Sequence, residues 1–117
     1  MPTVTTECLF CRIIAGEIPS EMVYQNQDLV AFRDKYPKAP THILVMPKEH
    51  IPSLSLVEDR HSDLLARMVL LVNQLAKEQG VAEQGYRLVV NAGPWGGQAV
   101  PHLHFHLIGG KPLRWEH

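Results

Sequence analysis

His102-Leu103-His104-Phe105-His106-Leu107-Ile108 is the stretch from which the rest of this chain is read. Successive side chains of a strand point to opposite faces and rise about 3.3 Å per residue. The alternation therefore predicts a strand over 102–108 with His102, His104 and His106 on one face, about 7 Å apart. Leu103, Phe105 and Leu107 take the other face, against a core. Three imidazoles are poor core material, because each buried ring needs polar partners. Three readings fit: a polar stripe facing solvent, a metal site in which imidazoles share a zinc with a ligand from elsewhere, or one imidazole acting as nucleophile or base, held by its neighbours. Spacing alone does not separate metal from catalysis.

The residues just before this strand favour catalysis. Asn91-Ala92-Gly93-Pro94-Trp95-Gly96-Gly97-Gln98 is a loop whose glycines let backbone N–H groups approach a ligand closely. Consecutive N–H groups in such turns form a nest suited to phosphate. Loop and strand together propose phosphate beside imidazole.

Working outward, Leu88-Val89-Val90 reads as a strand, and Leu64, Leu65, Met68, Leu71, Val72 and Leu75 form the apolar stripe of a long helix from about Glu58 to Gln79, ended by Gly80. His42 to Met46 is an apolar run closed by Pro47, a buried strand. Asp34 to Thr41, with Pro37 and Pro40, is a loop. Met22–Gln25 and Leu29–Arg33 read as strands joined by a turn at Asn26-Gln27-Asp28. Leu9, Phe10, Ile13 and Ile14 give a short helix that Gly16 stops. The expectation is an α+β domain: a five-stranded antiparallel meander sheet with one short N-terminal helix and one long helix.

At 117 residues the chain suits a single domain over 1–117. Its 45% hydrophobic and 20% charged residues exclude disorder as the main state. Twelve acidic residues against 11 basic ones, with no like-charge run, argue against a nucleic-acid or acidic-lipid surface. No apolar stretch approaches the roughly 20 residues of a membrane span, and Met1 to Glu7 lacks the marks of a secretory signal. A cytoplasmic location is expected. The two cysteines, Cys8 and Cys11, are spaced Cys-x-x-Cys, which in a reducing compartment suggests metal or redox chemistry more than a structural disulfide.

Gly96-Gly97-Gln98-Ala99-Val100-Pro101-His102-Leu103-His104-Phe105-His106-Leu107-Ile108 resembles the signature of the histidine triad family of nucleotide hydrolases and transferases. The likeness extends over nearly the whole chain. Leu9-Phe10-Cys11-Arg12-Ile13-Ile14 with Gly16-Glu17-Ile18-Pro19 is similar to the family's opening, and Ala39-Pro40-Thr41-His42 with Pro47-Lys48-Glu49-His50-Ile51 to its middle. Tyr86 to Asn91 and Trp115 resemble the Hint branch.

The resemblance implies hydrolysis of purine nucleoside phosphoramidates at the α-phosphate. His104 would be the nucleophile, forming a nucleotidyl-histidine that water cleaves, with the backbone carbonyl of His102 holding the proton on its other nitrogen. His106 would bond the phosphate oxygens, and His42 would relay a proton to the departing amine. Asp34 matches the acidic residue that bonds the ribose hydroxyls; Phe10, Ile13, Ile18 and Phe32 match the apolar purine slot, although alone they read as ordinary core. Asn91, Gly97 and Gln98 match ligand-side positions, with Gln98 facing the leaving group or phosphate. One departure stands out: Ala99 occupies a position where the family commonly carries Ser or Thr, so one charge-assisted hydrogen bond of roughly 1.5–3 kcal/mol is missing and turnover is expected to be slower.

Cys8 and Cys11 admit three readings: a redox pair, which lacks the strand context of a thioredoxin-like unit; two inert buried thiols; or half of a zinc site. Several bacterial members of the family complete such a site with residues matching His50 and His102. The resemblance thus implies a structural zinc on Cys8, Cys11, His50 and His102, and no catalytic cofactor. It also implies a homodimer, with Trp115 reaching toward the partner's site. His61 and His117 are read as solvated. Competing functions are a dinucleoside polyphosphate hydrolase with the same nucleophile, a nucleotide-binding regulatory module with incidental turnover, and a metal-sensing module. The family's transferase branch usually has Gln where this chain has His106.

Overall fold

A computed structural model describes residues 8–114. Trp115 and His117 lie outside the described residues, and with them the expected reach of the tail. The elements are α1 (Leu9–Ile14), β1 (Met22–Gln25), β2 (Leu29–Arg33), β3 (Thr41–Pro47), α2 (Ser62–Glu78), β4 (Tyr86–Val89) and β5 (Phe105–Gly109). All strand pairings are antiparallel, in the order β1-β2-β3-β5-β4. The sheet leaves a simple meander at one point, where β5 inserts between β3 and β4. Burial explains the exchange. β5 is buried at four of its five positions and needs neighbours on both sides, whereas half-exposed β4 suits an edge.

Local signals set the connections. Asn26 Oδ1 accepts from the amides of Asp28 (2.9 Å) and Leu29 (2.7 Å), closing the β1–β2 hairpin. α2 starts later than its apolar stripe suggests, because Asp59–His61 forms a 3-10 turn first. His61 is a correction to the sequence reading: it is 3% exposed rather than solvated. Its Nδ1 accepts the Glu58 amide at 2.9 Å while the Glu58 side chain accepts from the His61 backbone, a reciprocal cap that draws the ring inward.

The core lies between α2 and one sheet face. Met68, Leu71, Val72, Leu75 and Ala76 pack on Ile43 and Val45 of β3 and on Leu103, Phe105 and Leu107. Burying each large side chain contributes roughly 1.5–3 kcal/mol. On the opposite face Phe10 and Ile13 of α1 pack with Cys8 and Cys11 on Val30, Phe32, Leu44 and Met46. A six-residue helix cannot hold itself in water, so this packing holds α1 in place. Because α1 is short, it covers only part of that face.

The predicted strand over 102–108 is regular only from Phe105. The β3–β5 ladder stops at Val45–Phe105, short of Pro47, which has no N–H to donate. Upstream, Leu103 donates its amide to the Ile51 carbonyl at 2.7 Å instead. The alternation survives the change: Leu103, Phe105 and Leu107 all lie in the α2 core.

Candidate active site

The face left open by α1 carries the imidazoles, and they divide into two groups. His42 of β3 and His104 both lie against His106, with ring centroids 5.2 and 5.0 Å from it. The His102 ring turns instead to His50, 5.1 Å away, and to the two cysteines. His42, His102 and His104 are all buried, so the solvent-facing stripe considered above does not describe them. Their burial is matched by partners, and among the described residues no buried side-chain nitrogen or oxygen lacks a hydrogen bond.

Three backbone groups fix where the protons sit. A carbonyl can only accept and an amide only donate, so each assigns the ring nitrogen it meets. The His102 carbonyl lies 2.6 Å from His104 Nδ1, which therefore carries the proton and leaves Nε2 of His104 with its lone pair. The Lys38 amide donates to His42 Nδ1 at 3.1 Å, placing the His42 proton on Nε2. That Nε2–H faces His106 Nδ1 at 2.9 Å and Asp34 Oδ2 at 3.4 Å. When it donates to His106 Nδ1, the His106 proton sits on Nε2. The Pro47 carbonyl accepts the Nε2–H of His102 at 2.8 Å, which leaves His102 Nδ1 with its lone pair.

Burial is the main cause that keeps these rings neutral. It pushes His102 and His106 down to about 4, with the neighbouring histidines adding to the effect and the Pro47 carbonyl (for His102) and Asp34 (for His106) opposing it. Burial also lowers His104 and His42 below the ordinary imidazole value, with Asp34 again opposing. Neutral imidazole is the form that attacks or ligates.

Cys8, Cys11, His50 and His102 bring four ligand atoms within 4.8 Å of one another. His102 Nδ1 is 3.4 Å from Cys8 Sγ, 3.6 Å from Cys11 Sγ and 3.2 Å from His50 Nδ1, and Cys11 Sγ is 3.4 Å from His50 Nδ1. A tetrahedron with Zn–N of about 2.0–2.1 Å and Zn–S of about 2.3 Å has edges of about 3.3–3.8 Å, so the donor set fits a tetrahedral metal. The Pro47 carbonyl holds the other nitrogen of the His102 ring, the kind of contact that orients an imidazole toward a metal. Asp34, His42 and His106 also cluster within 4.8 Å. There the Lys38 amide puts a proton on the His42 nitrogen that a cation would need, which favours a proton chain over a metal.

The nucleotide residues expected from the sequence are placed unevenly. Phe10, Ile13 and Phe32 are buried and Ile18 is half-buried beside them. Phe10 packs edge-on against Phe32 at 5.6 Å and against the His104 ring at 5.0 Å, so it supports the site from below. Asp34 accepts the Tyr36 amide on Oδ1 and faces His42 with Oδ2. Asn91 donates to the Gly96 carbonyl at 2.8 Å, across the loop from Gly97 at φ +85°. Gln98 departs from the expectation that it faces a ligand. It accepts the Gly93 amide and donates to the carbonyls of Pro52 (2.7 Å) and Val100 (2.9 Å). The expected nest changes likewise: the amides of Gly96, Gly97 and Gln98 bond to carbonyls inside the loop, because its 3-10 turn closes on itself.

Sequence reading missed Pro47 and Lys38, because what they contribute is a backbone atom that any residue type supplies (an amide, for all but proline).

A family model for the HIT domain matches residues 15–113. The chain is 48% identical over 107 residues to the purine nucleoside phosphoramidase of Escherichia coli (strain K12), spanning 92% of this chain and 90% of that protein. It is 44% identical over 109 residues to a 14 kDa zinc-binding protein of Zea mays, covering 92% and 84%. In structure it resembles a HIT family hydrolase from Legionella pneumophila Philadelphia 1, with a TM-score of 0.92, 46% identity, and 94% and 98% of the two chains covered. With its imidazoles arranged as described and the family model spanning all but its ends, the chain belongs to the histidine triad family.

Proposed function

We propose that this protein hydrolyses purine nucleoside phosphoramidates at the α-phosphate, releasing the nucleoside monophosphate and an amine. One observation carries the reading: His104 has its Nδ1 proton fixed on the His102 carbonyl, and so presents an unprotonated Nε2 next to the His42–His106 pair. In the first half His104 Nε2 bonds to phosphorus and the P–N bond breaks. The departing nitrogen takes a proton that the His42–His106 pair relays from solvent. His106 Nε2–H bonds a phosphate oxygen as charge develops there. In the second half water attacks phosphorus, its proton returns through the same pair, and His104 leaves as neutral imidazole. Asp34 is assigned to the ribose hydroxyls, and Phe10, Ile13, Ile18 and Phe32 to the floor of the purine slot. The name and 48% identity of the Escherichia coli relative support this substrate class. The test is release of AMP and ammonia from adenosine 5'-phosphoramidate; a protein that binds AMP yet releases none from this substrate would overturn it.

Cys8, Cys11, His50 and His102 are proposed to hold a structural zinc. Four protein ligands would leave no open position for water, so the ion would serve to cross-link α1 to the segment that bears His104.

A homodimer is also inferred. Leu88 on edge strand β4 pairs with Leu107 and so shares the α2 side of the sheet. It is exposed, as are Val69 and Leu70 of α2, and Tyr86 ties β4 to Asn73 of α2 between them. A second copy laid helix to helix would cover this patch. Leu70→Glu should convert a dimer to a monomer by light scattering, and a wild type that is already monomeric would overturn the inference.

A further inference from the structure

The loop between β2 and β3 holds His42 at three points. The Asp34 amide donates to the His42 carbonyl at 2.9 Å, the Lys38 amide donates to His42 Nδ1 at 3.1 Å, and Asp34 Oδ2 lies 3.4 Å from His42 Nε2. The carboxylate is itself oriented, because its Oδ1 accepts the Tyr36 amide at 2.8 Å. His42 Nε2–H therefore has two acceptors before it, His106 Nδ1 at 2.9 Å and Asp34 Oδ2. A neutral pair needs only the first.

Relaying a proton from solvent requires the pair to hold it in transit, and the geometry limits where it can sit. His42 Nδ1 is closed to it while the Lys38 amide donates there, since two N–H groups cannot bond each other. The nitrogen of the pair that still offers a lone pair is His106 Nδ1. Once protonated, that atom faces the His42 Nε2–H across 2.9 Å, donor against donor, and the His42 proton must turn to another acceptor. Asp34 Oδ2 is in place to receive it, and the carboxylate charge balances the imidazolium.

The surrounding charges single out the same group. Burial does most to disfavour the charged form of both rings; Lys38 adds to it, as do the neighbouring imidazoles for His106. Asp34 acts the other way on both. The residues opposite His106 on the flanking strands, Leu44 of β3 and Val89 of β4, are uncharged, as is Phe10 of α1, which packs on His104. The charged residue of β4 is Arg87, one step along the strand, opposite Ile108.

We infer that Asp34 is the counter-ion of the His42–His106 relay: it accepts the His42 Nε2–H whenever His106 Nδ1 is protonated, and so lets the pair carry a proton through a buried site. This positioning role rests on the phosphoramidate reading and is distinct from ribose binding. One proton enters the neutral pair from solvent, and one leaves it for the departing nitrogen. A carboxylate offers about four lone-pair sites, so ribose hydroxyls and the ring can be served together.

The test separates the two roles with 2',3'-dideoxyadenosine 5'-phosphoramidate, which lacks both hydroxyls. On this substrate Asp34→Asn should lower kcat at least about tenfold, the effect of losing about one unit in the pair's proton affinity, and change KM less than about threefold. Calorimetric binding of 2',3'-dideoxy-AMP at about pH 6, in two buffers of different ionisation enthalpy, reads proton uptake directly; Asp34→Asn should take up less than about half of what the wild type does. Asp34→Ser makes the same comparison if Asp34→Asn does not fold. A smaller fall in kcat on the dideoxy substrate removes the counter-ion and leaves the hydrolase, and so does proton uptake by the variant of about half the wild-type value or more. If the wild type hydrolyses neither this substrate nor adenosine 5'-phosphoramidate, the hydrolase reading falls and proton uptake alone decides the counter-ion.

Discussion

The carbonyl oxygen of His102 accepts the Nδ1 proton of His104 at 2.6 Å, while the ring of the same His102 lies 3.4 Å from Cys8 Sγ. One residue thus faces the Cys/His cluster with its side chain and fixes the tautomer of the proposed nucleophile with its backbone. What holds the His102 ring in place also sets the position of the carbonyl two residues before the reacting nitrogen.

Removing that nitrogen should stop the chemistry without emptying the pocket. His104→Ala is expected to reduce AMP release from adenosine 5'-phosphoramidate by at least about a thousandfold, the range typical of a lost nucleophile. AMP affinity should change by less than about tenfold, since one of several contacts is lost. Steady-state turnover and calorimetric titration check the two parts, and a variant that retains a tenth of wild-type activity would move the nucleophile elsewhere.

The metal should act on stability first and rate second. Metal analysis is expected to find one zinc per chain, absent from Cys11→Ser. Chelation or that substitution should lower the melting temperature by at least about 5 °C, because a ligand bound only by the folded state stabilises it. Turnover should fall only severalfold, since no ligand position is open for catalysis. Complete loss of activity with an unchanged melting temperature would instead point to a catalytic ion.

Acid should weaken the fold before it reaches the carboxylates. Burial holds His106 down to about 4, whereas an unfolded imidazole titrates near about 6.5. Between these values the unfolded chain binds a proton at this site that the folded chain does not. The contribution to stability is complete above the unfolded value and is lost as the pH falls through the interval. Urea midpoints should therefore decline from about pH 6.5 to about pH 4.5, and less steeply in His106→Asn. Identical slopes for the two proteins would place the acid sensitivity in other groups.

Restoring the hydroxyl that this chain lacks should raise its rate. Ala99 is exposed in the segment between Gln98 and the histidines, so a serine there meets no steric barrier. Ala99→Ser is expected to increase kcat/KM for adenosine 5'-phosphoramidate by roughly three- to tenfold, most of one charge-assisted hydrogen bond. A decrease would show that the loop is already shaped for alanine.

The sequence by itself determined the fold class, the alternation that places Leu103, Phe105 and Leu107 in the core, and the residue types at the site. These follow from periodicity and from side chains whose chemistry is unmistakable, such as three histidines in five positions beside Cys-x-x-Cys. Tertiary structure decided the rest. It placed β5 between β3 and β4, because only there are both its sides covered. It divided the histidines into one group that holds a proton chain and another that faces the thiols. It turned Gln98 and the loop amides inward and made His61 part of a helix cap. It also gave each ring its tautomer through the backbone atoms of Lys38, Pro47 and His102. The physical reason is the same in each case: a backbone amide or carbonyl is nearly independent of residue type, so which ring it meets is fixed only when distant segments pack together.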